Sequence, residues 1–432
     1  MKSTATTLLM ALLATASMLA AWYYYPTLEV QDVTVREKLL TDEQAFVPRD
    51  VQKVRIESFD SNTNSPSQFD FELDRGSWVI RDHENYTANN NSRVSDALSA
   101  IGDKQVLEVV SSNKNDHEEY GVLEISEIGS SGLGIGTVMT FEGRNEKRLA
   151  KLIVGTSPEG KPDQRYVRLA GQPQIYVVEF NPDVLTTKFS DWVDGELIKV
   201  GSEETPFPEL IKYIDVDLYY RDQEGDKKYN YRARIELNDK NEWVYSLWQP
   251  DDSKKLAEDP NLVEQLVNQG TLASLVQQVM LFEIKDVDRK QETAALDLAN
   301  PKESQPASHF NSLAKSGFFH KGFQDGQHQF DAAAGSVTIA FRFGMEVEVH
   351  VGNISGMGGV GGSGINRAIM LNAELNPELV PKDVDGREQV LGFAENETRA
   401  FNQLHADWIY EVADEAVSRL LPPATAWVKP ER

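Results

Sequence analysis

Asp215 and Asp217 stand two residues apart among Ile214, Val216 and Leu218. On an extended chain this spacing puts both carboxylates on one face, where they could bind calcium or share acid and base roles. Alternating acids are also the ordinary wet face of a half-exposed strand, and that is how we read them. His309, His320 and His328 supply three imidazoles, enough for zinc, but separations of 11 and 8 residues fit no compact zinc motif. They read as surface histidines, with residues 318–328 as loop.

The run Gly356-Met-Gly-Gly-Val-Gly-Gly-Ser-Gly364 offers bare backbone that could approach a phosphate. A phosphate-cradling loop needs Lys and then Ser or Thr after its last glycine, whereas Ile365, Asn366 and Arg367 follow here. The run falls between two expected strands and reads as a flexible connection. There is no Gly-x-Ser-x-Gly elbow, no His-Glu-x-x-His helix and no cysteine, which excludes disulfides, thiolate metal sites and a cysteine nucleophile. No catalytic, cofactor-binding or metal-ligating residue is expected, and no cofactor.

The elements that would carry these residues are mostly strands. Val54–Glu57, Phe69–Leu73 and Trp78–Ile80 alternate apolar and polar side chains around a turn at Asp74-Arg75-Gly76. A helix from Ser92 to Ile101 follows, then Leu107–Val110, Gly136–Glu142, Ala150–Val154, Arg165–Leu169 and Gln174–Val178 as strands. From residue 211 the same order recurs. Ile214–Tyr220, Tyr231–Leu237 and Trp243–Tyr245 open it, a helical pattern runs from Pro260 to about Met280, and Phe282–Val287, Gly335–Phe341 and Met345–Val351 close it. Val154-Gly155 answers Val351-Gly352, and Asp191-Trp192 answers Asp407-Trp408. Trp78, Trp192, Trp243 and Trp408 therefore stand at duplicated positions, where each copy must fill the same gap, and they are expected in the core of the repeats.

Residues 5–25 carry no charge and end in Trp22, Tyr23, Tyr24 and Tyr25, rings that favour a membrane interface. About 20 apolar residues suffice to cross a bilayer, so a transmembrane helix is expected, with a cleaved signal peptide as the alternative. Lys2 against the acidic far flank, Glu29 and Asp32, sets the N-terminus inside. The chain divides into an anchor over 1–26, a juxtamembrane segment over 27–50, a first β-rich unit over 51–200, a linker over 201–208 and a second, diverged unit over 209–432. Residues 288–310 form a polar insertion in the second unit, read as an exposed loop or short surface helix. The expected fold class is α+β: an N-terminal transmembrane helix, then two tandem β-rich units, each with a packed helix.

A net charge of -25 and a pI near 4.7 repel phosphate backbones, so nucleic acid is not an expected partner. With 40% hydrophobic residues the chain has enough apolar material to fold.

Val54-Arg-Ile-Glu57, Arg75-Gly-Ser-Trp78-Val-Ile, Glu118-Glu-Tyr120-Gly121-Val-Leu, Leu152-Ile-Val-Gly155, Arg165-Tyr-Val-Arg-Leu169 and Ile175-Tyr-Val-Val178 together resemble a bacterial domain of unknown function, the one numbered 4340. The resemblance is close over residues 51–200 and weaker beyond. It implies an anchored, exported, β-rich protein, often encoded beside a gliding-motility-type ABC transport system. The expected role is thus a non-enzymatic, membrane-tethered accessory or scaffolding protein of the inner membrane, single-pass, its body periplasmic or extracellular. Its expected partners are the lipid bilayer and an envelope protein. The alternative is an envelope hydrolase acting on glycan or peptide through an unrecognised site.

Overall fold

A computed structural model describes residues 37–428, apart from 42–44, 61–64, 128–132, 202–204, 223, 225, 249–264, 300–304, 325–326 and 358–364. The first unit contains β1 (Lys53–Asp60), β2 (Ser65–Asp74), β3 (Ser77–Ile80), β4 (Tyr86–Thr87), helix α1 (Asn91–Leu98), β5 (Glu108–Ser111), β6 (Thr137–Glu142), β7 (Arg148–Val154), β8 (Gln164–Leu169) and β9 (Ile175–Glu179). The second contains β10 (Ile211–Arg221), β11 (Lys227–Leu237), β12 (Trp243–Trp248), β13 (Gln265–Leu266), α2 (Gln269–Met280), β14 (Ile284–Arg289), α3 (Glu292–Ala299), β15 (Phe318–Gln324), β16 (Gln327–Ala332), β17 (Gly335–Phe341), β18 (Met345–Met357), β19 (Ile365–Leu375), α4 (Arg387–His405), β20 (Trp408–Ala413) and α5 (Asp414–Leu420).

Two nine-stranded antiparallel sheets repeat one strand order, β4-β3-β2-β1-β6-β7-β8-β9-β5 and β13-β12-β11-β10-β17-β18-β19-β20-β14. Each strand of the first sheet has a counterpart in the second. The register agrees at side-chain level: Trp78 lies opposite Leu73, as Trp243 lies opposite Leu237. Gly155 and Gly352 also match, since a Cβ there would come within 2.3 Å of the Tyr120 carbonyl oxygen and 2.1 Å of that of Ser316.

Alternation along the strands sends one face of each sheet into a shared apolar core. Val54, Met139, Phe141 and Leu152 from the first sheet join Ile214, Val337, Ile339 and Val349 from the second. The opposite faces carry smaller clusters, with Val138, Ile153 and Ile175 in the first unit and Ala368, Met370 and Ile409 in the second. Residues between β14 and β17 cover the second face. There the polar stretch 288–310, expected as an exposed loop or short surface helix, contributes the short helix α3 and Phe310, with Ala294, Ala295 and Phe310 buried.

The membrane-spanning part of the expected fold is corrected. Residues 5–25, with Trp22, Tyr23, Tyr24 and Tyr25, lie outside the described residues, and among the described residues no helix is long and apolar enough to cross a membrane. The 19-residue α4 carries Arg387, Glu388, Glu395, Glu397 and Arg399, and the more apolar α2 has only 12 residues, about 18 Å at 1.5 Å per residue. The described body is an α+β fold of two large antiparallel sheets. The single-pass inner-membrane localisation, the lipid-bilayer and envelope-protein partners and the tethered scaffolding role lose their structural basis with it.

Both helix starts differ from the sequence pattern. α1 starts one residue before Ser92, because Asn90 caps it: its Oδ1 accepts from the Arg93 amide at 3.4 Å and from Ser92 Oγ at 3.1 Å. α2 begins at Gln269 and not at Pro260, with Asn268 accepting from the Gly270 amide at 3.0 Å.

Candidate functional site

The residues singled out by spacing are engaged by their neighbours. Arg234 donates to both oxygens of Asp215, at 2.8 and 2.6 Å, and Arg232 Nε donates to Asp217 at 2.9 Å. These are cross-strand pairs, since Asp215 faces Arg234 and Asp217 faces Arg232 in register. Calcium would have to displace a bidentate guanidinium from Asp215.

His320 and His328 lie on the β15–β16 hairpin, where a loop was expected, and their Nε2 and Nδ1 atoms are 3.1 Å apart. Phe310 packs on both rings at 4.4 and 4.7 Å. His328 is buried, contrary to the surface reading, and burial with the neighbouring His320 pushes it down to about 4. His309 bonds Asp297 instead, at 2.7 Å. Among the described residues no group of three or more His, Cys, Asp or Glu side chains is placed to hold a metal ion. The glycine run joins β18 to β19, as the pattern implied, and its residues 358–364 lie outside the described ones.

Trp192 is fully buried, stacked on Phe69 at 5.3 Å and beside Phe71 at 4.9 Å. Trp78, Trp243 and Trp408 are partly buried against the same core. The Asp-Trp repeat does not mark equivalent positions, because Trp408 opens β20 whereas Trp192 comes after β9, the counterpart of β20. The true counterpart of Trp192 is Trp427, also fully buried. The Trp192 carbonyl accepts from the amide of Asn90, the cap of α1, at 3.1 Å, and the Trp427 carbonyl accepts from the amide of Asn268, the cap of α2, at 2.9 Å.

The two units meet through a buried polar chain. His405 Nε2–H donates to the Leu197 carbonyl at 3.0 Å, so Nδ1 is left to accept from the Tyr410 hydroxyl at 2.7 Å, which in turn bonds Tyr86. Burial, with the nearby Lys290 ammonium, pushes His405 down to about 3, so the ring is neutral. Lys290 Nζ donates to the carbonyls of His405 at 2.9 Å and Trp408 at 2.6 Å, and burial lowers it to about 7 against the pull of Asp407. Every polar atom described in this chain has a protein partner, which is the signature of a structural junction.

Beside the junction lies a cleft of about 1000 Å³. Asp191, Asp194 and Glu196 line it from the end of the first unit, Glu283, Glu415 and Arg419 from the second, with Asn and Gln side chains between. The first wall is fixed by Asn90 Nδ2 donating to the Asp191 carbonyl at 3.0 Å and by the Asp194 amide donating to Asn89 Oδ1 at 2.6 Å. The Phe282 amide donates to the Gly195 carbonyl at 2.8 Å and ties the two walls together. Lys199 pairs with Asp194 and Lys285 with Glu283, yet carboxylates remain in excess, facing Arg419 alone. Sequence reasoning missed these residues, although the acidic run Asp191-Trp-Val-Asp-Gly-Glu196 directly before the linker was a signal.

No curated protein and no solved structure matches the chain. Residues 78–301, more than half of its length, match the family described as domain of unknown function DUF4340, and the chain belongs to that family.

Proposed function

We propose that the chain is a non-enzymatic binding protein that receives a cationic, hydrogen-bonding ligand in the acidic cleft between its two units. Residues 51–200 and 209–432 act in this reading as two lobes joined at 201–208. The observation that carries it is the excess of carboxylates in a cleft large enough for a ligand: Asp191, Asp194, Glu196, Glu283 and Glu415 against Arg419 and the paired Lys199 and Lys285. Of the strongly perturbed groups, His405, Lys290 and Tyr410 sit in the junction with their bonds made within the protein, His328 lies on the β15–β16 hairpin, and none of the four is among the residues lining the cleft. A catalytic acid or base would have to face the ligand.

Calorimetric titration of the full chain with pentalysine tests the proposal. Binding should weaken as salt rises and fall at least fivefold in a Glu196→Gln, Glu283→Gln, Glu415→Gln variant. Absence of binding at millimolar peptide, or an unchanged affinity in that variant, overturns it.

A further inference from the structure

We infer that the ligand is a basic amphipathic segment of a polypeptide, with its cationic side in the acidic cleft and its apolar side in a groove that continues it. The inference rests on the cleft reading and adds the chemical class of the ligand. The groove measures about 800 Å³, and Glu196, Gln277 and Leu281 line both cavities, so the two are one surface. Away from those shared residues the groove wall is apolar apart from Gln269 and Lys199, which is paired with Asp194: Ile198 comes from just before the linker and Phe207 from within it, Trp243 from β12, and Val276 and Met280 from α2.

α2 explains why this wall is open. Leu275 and Val279 face the core, Leu272 and Val276 touch both core and groove, and Met280 lies on the groove side of the helix. Met280 is 39% exposed and the following Leu281 59%, apolar surface that a water-facing helix end does not need. Methionine adapts its shape to an apolar partner.

Charge complementarity selects the occupant. A small cation would satisfy Glu196 and Glu415 and leave the groove wet, while an uncharged apolar ligand would strip water from those carboxylates without a countercharge. Lysine or arginine on one side of a helix and leucine-type residues on the other meet both demands, the helix-in-groove mode of recognition. The joined cavities also exceed the span of an ordinary small-molecule pocket.

The test uses the full chain and three probes: pentalysine, a synthetic Leu/Lys amphipathic peptide of about 18 residues, and the same peptide with every Leu changed to Ser. The Leu/Lys peptide should bind at least tenfold tighter than the other two and change Trp243 fluorescence. Met280→Ser, which removes apolar surface without adding charge and whose fold is checked by circular dichroism, should abolish that gain and leave pentalysine binding as it was. If the Leu and Ser peptides bind equally while pentalysine still binds, this inference falls and the cleft reading stands. If pentalysine does not bind either, both fall. A gain that survives Met280→Ser overturns the inference, as does ultracentrifugation showing a dimer that Met280→Ser dissociates, since a second copy would then fill the groove.

Discussion

Replacing His405 with Gln tests whether the buried junction makes the fold acid-labile. The ring is 1% exposed, and its two nitrogens are committed to the Leu197 carbonyl and the Tyr410 hydroxyl. Burial holds it at about 3, against an ordinary histidine near 6.5 in the unfolded chain. The folded value lies below the unfolded one, so between them the unfolded chain binds a proton that the folded chain refuses. The His405 contribution is therefore whole above about pH 6.5 and is lost as the pH falls toward 3. At about pH 4.5 the loss amounts to about 2.7 kcal/mol. The Gln variant keeps a donor for Leu197 but leaves Tyr410 short of its acceptor, which costs about 1–3 kcal/mol at neutral pH. Urea unfolding followed by tryptophan fluorescence, from pH 7.5 to 4.5, should show the variant less stable at the upper end and the gap narrowing by about 2.7 kcal/mol at the lower. Lys290 is present in both chains, and its change of charge lies at and above about 7, near the upper edge of the window. Stability curves that stay parallel through the acid range would refute the assignment of a neutral, buried His405.

Gly195→Ala should separate the units locally, because a Cβ there would stand 2.1 Å from the Phe282 carbonyl oxygen. A loss of about 3 kcal/mol is expected in the unfolding free energy from urea titration, with faster hydrogen exchange at the Phe282 amide that bonds Gly195. Trp192→Ala and Trp427→Ala should each cost about 3–5 kcal/mol, and Trp408→Ala less than about 2, since only the first two are fully buried. Equal losses at Trp408 and Trp192 would restore the equivalence that the Asp-Trp repeat implied.

What the sequence disclosed was local. The alternation in Ile214–Leu218 and Tyr231–Leu237 marks strands because one face of each enters the core. Trp78 and Trp243 align because only a short turn separates each from the strand it pairs with. Strand order was hidden, since β1 lies between β2 and β6, and the pairing of Val54 with Phe141 joins residues far apart in the chain. The tryptophan register failed where the copies differ most. The 19-residue α4 stands between β19 and β20, and only the short stretch 170–174 joins β8 to β9, so a counterpart sought by short motif lands on Trp408. The cleft was illegible for a further reason: Asp194, Glu283 and Glu415 each look like ordinary solvent-facing acids until packing brings their loops together.

The same comparison locates where the copies were free to diverge. Positions facing the shared core keep apolar residues in both sheets, as with Phe141 and Ile339, because a change there would open a void on both units at once. The outer faces are not bound in this way. Counting back from the matched Gly155 and Gly352, the position of Ile153 in the first sheet is taken by the buried His350 in the second, where it bonds Asn372 at 2.5 Å. Arg168 in the first is answered by Met370, each following the residue that pairs with the valine before those glycines. The outer layers therefore carry the individual chemistry of each unit, and the core carries only the repeat. The cleft belongs to neither layer: it forms where the end of one unit meets the helix and loop of the next, so its acidic lining depends on both copies being present and packed as they are.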